Sequence, residues 1–180
     1  LYKKVGGWRY EIDWDRLAEV ARLAVHFLDN LIDVNKFPIP EIEKATKATR
    51  KIGLGVMGWA TLLIRLGISY DSEEAVSLAE KVMSFISDKA RNESVDLGKS
   101  RGDFGNFKGS LWQKEGYKTM RNATVTTLAP NGTTSLLADC NGGIEPFFAL
   151  GYVRKNMETI GDHELIYINI LLEKKLKDEW

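Results

Sequence analysis

Arg121-Asn122-Ala123-Thr124-Val125-Thr126-Thr127-Leu128-Ala129-Pro130-Asn131-Gly132-Thr133-Thr134-Ser135 is the stretch on which the fold turns. Its first half, Asn122 to Leu128, is rich in β-branched residues and reads as a strand. Pro130 to Thr133 reads as a turn that opens a short helical segment. A strand running into a turn and a helix start is a building unit of α/β proteins. It is also a place where anions bind. Gly132 allows close approach of the backbone to a ligand. Thr133, Thr134 and Ser135 offer hydroxyls, and backbone N–H groups at a helix start lack intrahelical partners. Such a site requires no lysine. The competing reading is an ordinary turn with a Ser/Thr cap.

Upstream, helices dominate. Trp14 to about Val34 reads as a helix with Asp13 as N-cap and an apolar face of Leu17, Val20, Ala21, Ala24, Phe27, Leu28 and Leu31. Pro38 and Pro40 end it, and Glu41 to about Arg50 forms a short polar helix. Gly53, Gly55 and Gly58 precede an apolar helix that stops near Leu66-Gly67. Asp71 and Glu74 have capping-box spacing and open a long helix to about Gly98, with Ala75, Leu78, Ala79, Val82, Met83 and Ile86 as its buried stripe. A glycine- and aromatic-rich loop spans Arg101 to Phe107. Beyond the central stretch, Phe147 to Arg154 reads as a second strand and Asp162 to about Lys177 as a final helix. The alternation favours α/β, with no repeat or linker to divide the chain.

Composition sets the outer bounds. The 180 residues are 44% hydrophobic and 28% charged, enough for a buried core. Lys+Arg and Asp+Glu both number 25, so no net field draws nucleic acid. No apolar run suits a membrane span, and no signal segment opens the chain, which points to the cytoplasm. A single cysteine, Cys140, excludes an internal disulfide framework. The chain opens on Leu1 and ends at Trp180, so it could be an excised piece.

Several other clusters invite a chemical reading. Gly53-Leu54-Gly55-Val56-Met57-Gly58 matches G-x-G-x-x-G, the dinucleotide fingerprint. That loop must follow a buried strand, and Lys44 to Lys51 is too polar to be one, so close helix packing at the glycines is the better expectation. His26, Asp29 and Asp33 share a helix and could ligate a metal, but a solvated or hydrogen-bonded face is favoured. Asp162-His163-Glu164 reads as an acidic first helical turn. Cys140 has no basic neighbour in sequence and reads as a structural thiol. No catalytic residue and no metal site is therefore assigned.

The central stretch, followed by Gly143-Ile144-Glu145-Pro146, resembles the R-N-A-x-x-T-T-x-A-P-T-G-T…G-I-E-P signature of ribonucleotide reductase large subunits. Asp29-Asn30-Leu31-Ile32-Asp33 and Arg50 to Gly58 resemble the family's D-N-x-I-D and R-K-I-G-L-G-V-M-G segments, and Ser72 to Ala75 and Arg101 to Phe104 also fit. The runs are most similar to those of the adenosylcobalamin-dependent class II enzymes. The resemblance implies that residues 1–180 are one helix-rich part of a ten-stranded α/β barrel, in its second half. It implies a parent enzyme that replaces the ribose 2′-OH by hydrogen through a thiyl radical, with adenosylcobalamin as cofactor. It places the substrate's phosphates on Pro130, Asn131, Gly132, Thr133, Thr134 and Ser135, and gives Glu145 and Pro146 a structural turn.

The same resemblance marks departures. The family's radical cysteine lies in an Asn-x-Cys-x-Glu loop, whereas Cys140 has Ala138 and Gly142 at those flanks. That loop is expected upstream of Leu1, so the chain alone is expected to be inactive. Asn131 stands where Thr is usual, and Asp103 to Phe107 departs at the position where Pro is usual. The partners implied are a ribonucleotide, the rest of the barrel and a homo-oligomer, with no nucleic acid and no membrane. Two rival functions stand beside this one: a non-catalytic segment acting as an assembly module, and a nicotinamide-binding oxidoreductase using Gly53 to Gly58.

Overall fold

The computed structural model describes residues 2–7, 9–155, 164–169, 171 and 173. It opens with a hairpin, β1 (Tyr2–Gly6) paired antiparallel with β2 (Arg9–Ile12). Gly6-Gly7 supplies its turn, and both glycines have positive φ.

Helix α1 (Trp14–Val34) starts where expected, because the Asp13 carboxylate accepts from the Arg16 N–H at 3.0 Å. Its buried face differs from the expected one. Leu17, Ala21, Val25, Asp29 and Ile32 face inward, whereas Phe27 and Leu31 are exposed. Leu17, Ala21 and Leu28 of the expected face do pack inward, while Leu23, Phe27 and Leu31 form a second apolar stripe on the exposed side. Helix α2 (Pro40–Thr49) begins with Pro40 in its first turn and ends at Arg50 in the left-handed conformation. Helix α3 (Trp59–Leu66) is bounded by Gly58 and Gly67, both left-handed. Helix α4 (Glu73–Arg101) is capped by Ser72, whose hydroxyl accepts from the Ala75 N–H at 3.1 Å. The cap is therefore Ser72 and not Asp71, and the helix outlasts Gly98.

α1 and α4 lie against each other. Val25, Ile32, Ala90 and Leu97 form one shared cluster, while Leu17, Ala21, Val82 and Ile86 form a second. The alanines let the two backbones come close. Trp14 closes one end with its ring 4.9 Å from Phe85, edge to face. After α4, Phe104, Phe107 and Met120 make a satellite core, with the short helix α5 (Leu111–Lys114) beside it.

The expected strand at Asn122–Leu128 is extended backbone with a single parallel bridge, Leu54 to Thr126. The Ile52 and Leu54 N–H groups donate to the Thr124 and Val125 carbonyls, and the Thr127 N–H donates to the Leu54 carbonyl. Helix α6 (Gly132–Leu137) follows. Then β3 (Gly151–Lys155) pairs antiparallel with β4 (Glu164–Ile168). The strand expected at Phe147 thus begins at Gly151. The expected final helix is wrong at its start, since Glu164–Ile168 is a strand whose apolar run pairs with β3. Leu171 and Glu173 are helical, and the rest of that expected helix, with Asp162 and His163, lies outside the described residues.

Candidate functional site

The loop that joins the extended segment to α6 is built from short, uncharged residues. Asn131 caps α6 in the left-handed conformation, φ 53° and ψ 31°, which asparagine tolerates better than most residues. Its side-chain amide donates to the Val56 carbonyl at 3.2 Å and the Ala129 carbonyl at 3.0 Å. Asn131 therefore ties the loop to the glycine segment. Ser135 is buried; its hydroxyl donates to the Gly132 carbonyl at 2.9 Å and its N–H to the Asn131 carbonyl at 2.9 Å. Gly132, Thr133 and Thr134 are exposed, and their N–H groups occupy the first turn of α6, where helices leave donors unsatisfied. A Cβ on Gly132 would meet nothing within 4 Å, so the chain is open on that side of the residue.

Behind the loop sits a turn with no slack. A Cβ at Gly142 would come within 3.0 Å of the Pro130 carbonyl oxygen, and one at Gly143 within 3.0 Å of that of Ala129. Asn141, buried in this turn, bonds across to Thr61 at the start of α3. Tyr70 donates its hydroxyl to the Ile144 carbonyl at 2.9 Å. Glu145 is exposed, and its backbone carbonyl accepts from Asn141 at 2.6 Å. Cys140 lies against Gly58, and burial, followed by the charge of Asp139, raises its pKa. A thiol so held is protonated at neutral pH and a poor nucleophile.

The glycine segment is packed and not open. A Cβ at Gly53 would stand 2.7 Å from the Thr127 methyl, and one at Gly55 3.2 Å from the Thr127 carbonyl oxygen. The residues before it belong to α2, so the strand a dinucleotide loop needs is absent. The glycines do serve close packing, but against an extended segment and not a helix. Beside this segment, between α1, α3 and α4, runs an apolar groove of 840 Å³ whose walls include Leu54, Trp59, Met83, Leu128, Cys140 and Ile144.

The trio on α1 resolves into an ion-pair cluster. Asp29 is fully buried and receives Arg50 Nε at 2.9 Å, Arg121 Nε at 3.2 Å and the Asn122 amide at 2.9 Å. Arg50 also reaches Asp33 at 2.8 Å, and Ser94 donates to Asn122 at 2.8 Å. Hydrogen bonding from Arg50 holds the Asp33 carboxyl below its ordinary pKa. His26 contacts Arg101 at 2.8 Å and Glu93 at 3.5 Å. Among the described residues, no group of three His, Cys, Asp or Glu side chains could hold a metal. Sequence reasoning missed the roles of Asn141, Thr61, Asn122 and Ser94. The available signal was Asp29 itself, which falls in the buried register of Val25 and Ile32.

Segments 50–58, 121–135 and 143–146, which meet at this loop, are among the runs that carry the family resemblance. The family model of the ribonucleotide reductase barrel domain matches residues 1–179. The chain belongs to the ribonucleotide reductase barrel-domain family. Its relatives include the vitamin B12-dependent ribonucleoside-diphosphate reductase of Thermoplasma acidophilum, 51% identical over 168 residues, which covers 93% of this chain and 21% of that protein. The enzyme of the same name from Mycobacterium tuberculosis H37Rv is 48% identical over 167 residues, covering 93% and 23%. A ribonucleoside-diphosphate reductase subunit alpha from Chlamydia pneumoniae is 30% identical over 205 residues, covering 93% and 19%. The chain thus spans about a fifth of the length of the curated reductases it matches. Its helix-rich build is that of a portion of an α/β barrel. Among the described residues no helix is long and apolar enough to cross a membrane.

Proposed function

We propose that residues 1–180 are one portion of the single catalytic barrel domain of a vitamin B12-dependent ribonucleotide reductase, and that loop 130–135 binds the phosphates of the ribonucleotide substrate. The observation that carries this reading is the exposed first turn of α6, backed by buried Ser135 and the tight glycine turn at 142–143. Fixed N–H dipoles at an exposed helix start bind an anion without reorganising. The Thr133 and Thr134 hydroxyls add donors. Asn131, whose amide is committed to Val56 and Ala129, shapes the turn and leaves contact with the anion to its neighbours.

The parent reaction replaces the ribose 2′-hydroxyl by hydrogen. The names of the relatives at 48–51% identity support adenosylcobalamin as the parent's cofactor, which supplies the initial radical when bound. This chain's described side chains do not fit that group. His26 is engaged by Arg101 and Glu93, Asp29 by arginines, and Cys140 is packed on Gly58. Cys140 also lacks the Asn-x-Cys-x-Glu setting of the family's radical thiol, so the chain alone forms no deoxynucleotide. The remainder of the barrel is its partner.

The test is Gly132→Asp in the reductase that carries this segment. The new side chain enters open space, so folding is preserved. Its carboxylate repels phosphate, and like-charge juxtaposition of this kind raises the KM for the nucleotide about tenfold or more. An unchanged KM would show that phosphates bind elsewhere. The assembly-module reading predicts normal docking on the other barrel portion with no effect of this variant.

A further inference from the structure

We propose that Asn141, with Thr61, is a positioning residue for nucleotide binding, acting through the 140–145 turn on loop 130–135. The proposal rests on the phosphate-binding reading of that loop. Asn141 is 7% exposed, and both ends of its side chain are engaged. Oδ1 accepts from the Thr61 N–H at 2.9 Å and the Thr61 hydroxyl at 3.0 Å. Nδ2 donates to the Glu145 carbonyl at 2.6 Å and the Gly142 carbonyl at 3.2 Å. The backbone joins in: the Asn141 N–H donates to the Thr61 hydroxyl at 3.2 Å, and its carbonyl accepts from the Gly58 N–H at 2.9 Å. Asn141 therefore has little left for a ligand. It fastens the turn to α3.

That turn touches the loop at three places. The Cys140 N–H donates to the Ser135 carbonyl at 3.1 Å, and Gly142 and Gly143 abut the carbonyls of Pro130 and Ala129. A shift of the turn moves the loop's backbone, and with it the donors of the first turn of α6. Thr61 lies on another helix and is buried, and its hydroxyl is hydrogen-bonded to Asn141. A change at Thr61 is thus read out as a change in phosphate affinity.

The experiment uses the full-length reductase carrying these residues, with Thr61→Val, Thr61→Ser and Asn141→Asp. Competition by a ribonucleoside diphosphate and by the matching ribonucleoside is measured, alongside kcat and KM. Losing one buried hydrogen-bonding partner is expected to raise the diphosphate KM about tenfold in Thr61→Val. Nucleoside affinity and kcat stay within about twofold, because the displaced donors face only the phosphates. Thr61→Ser restores the hydroxyl and with it the KM. Asn141→Asp keeps the acceptor for Thr61 but loses both Nδ2 donors, and weakens the diphosphate in the same selective way. Equal weakening of nucleoside and diphosphate, or a fall in kcat alone, assigns Asn141 to general stability and overturns the proposal. Gly132→Asp separates the two readings. If it leaves diphosphate affinity unchanged, the loop reading fails and this one with it. If it weakens the diphosphate while Thr61→Val does not, only the positioning role is lost.

Discussion

The buried charge at Asp29 shows how one residue fixes three segments. Its carboxylate neutralises Arg50 from the end of α2 and Arg121 from the start of the extended stretch, while Asn122 satisfies its remaining acceptor capacity. Removing it leaves Arg50, itself 4% exposed, with only Asp33 at the surface side of its guanidinium. Breaking such a buried pair costs about 3–5 kcal/mol. Asp29→Ala is therefore expected to lose that amount in urea unfolding, while Asp88→Ala, on an exposed helix pair, changes little. Comparable losses in both would remove the cluster as a fastening point. Asp33 gives a pH signature at the same place. The hydrogen bond from Arg50 and the charges of Arg50, Arg121 and Lys47 outweigh burial and hold its pKa below 3.8. A carboxyl with a depressed folded pKa binds fewer protons folded than unfolded, so stability rises with pH through that window. The contribution is fully present above the unfolded value and is lost as pH falls through the folded one. The stability gap between wild type and Asp33→Asn is expected to be constant from about pH 5 to 7 and to shrink below about pH 4. A gap that grows on acidification would contradict the ion-pair geometry.

At the scale of elements, the glycine segment and the extended stretch are made for one another. A methyl at residue 53 would overlap the Thr127 side chain, whereas one at residue 55 would press on the Thr127 backbone oxygen. Overpacking of this kind costs about 1–3 kcal/mol. Thr127→Ser removes the methyl that Gly53→Ala collides with, so the double variant recovers part of the loss in a double-mutant cycle. Gly55→Ala gains nothing from Thr127→Ser, because its obstacle is main chain. Equal rescue of both would mean that the two segments do not lie in this register. The contrast also shows what the sequence could and could not say. Helices α1 to α4 were legible because caps and periodicity are local: Asp13 and Gly67 act within a turn of their own position, and at α4 the cap lies one residue beyond the expected Asp71. The loop at 130–135 was legible from Pro130 and Gly132. The state of Asn122–Leu128 was not, because β-branched residues signal extended backbone without saying whether a partner strand exists. Glu164–Ile168 misled for a related reason, since a short apolar run suits a strand or a buried helix equally. Asn141 was illegible because its partner Thr61 lies 80 residues away.

At the scale of the whole molecule, large apolar side chains among the described residues lie exposed in rows. On α1, Leu23 (67% exposed), Phe27 (59%) and Leu31 (43%) form a stripe at four-residue steps, on the side away from α4. The apolar groove opens elsewhere, between α1, α3 and α4. Contiguous exposed patches of this kind mark surfaces that are covered in the working protein. The vitamin B12-dependent relatives are about four times longer than this chain, so a reductase of that length has the residues to cover them. The isolated chain is expected to self-associate, because its own copies are then the available apolar cover. Light scattering over a concentration series should give a mass above the 20.3 kDa of one chain, rising with concentration. Phe27→Glu with Leu31→Glu, both exposed, should lower that mass while leaving the α1–α4 core and the melting temperature in place, since neither side chain belongs to that core. The same pair in the full-length reductase should instead destabilise, by burying two carboxylates against the cover. A monomeric isolated chain at every concentration, or a full-length protein indifferent to the pair, would show that the α1 stripe faces solvent in the assembled barrel.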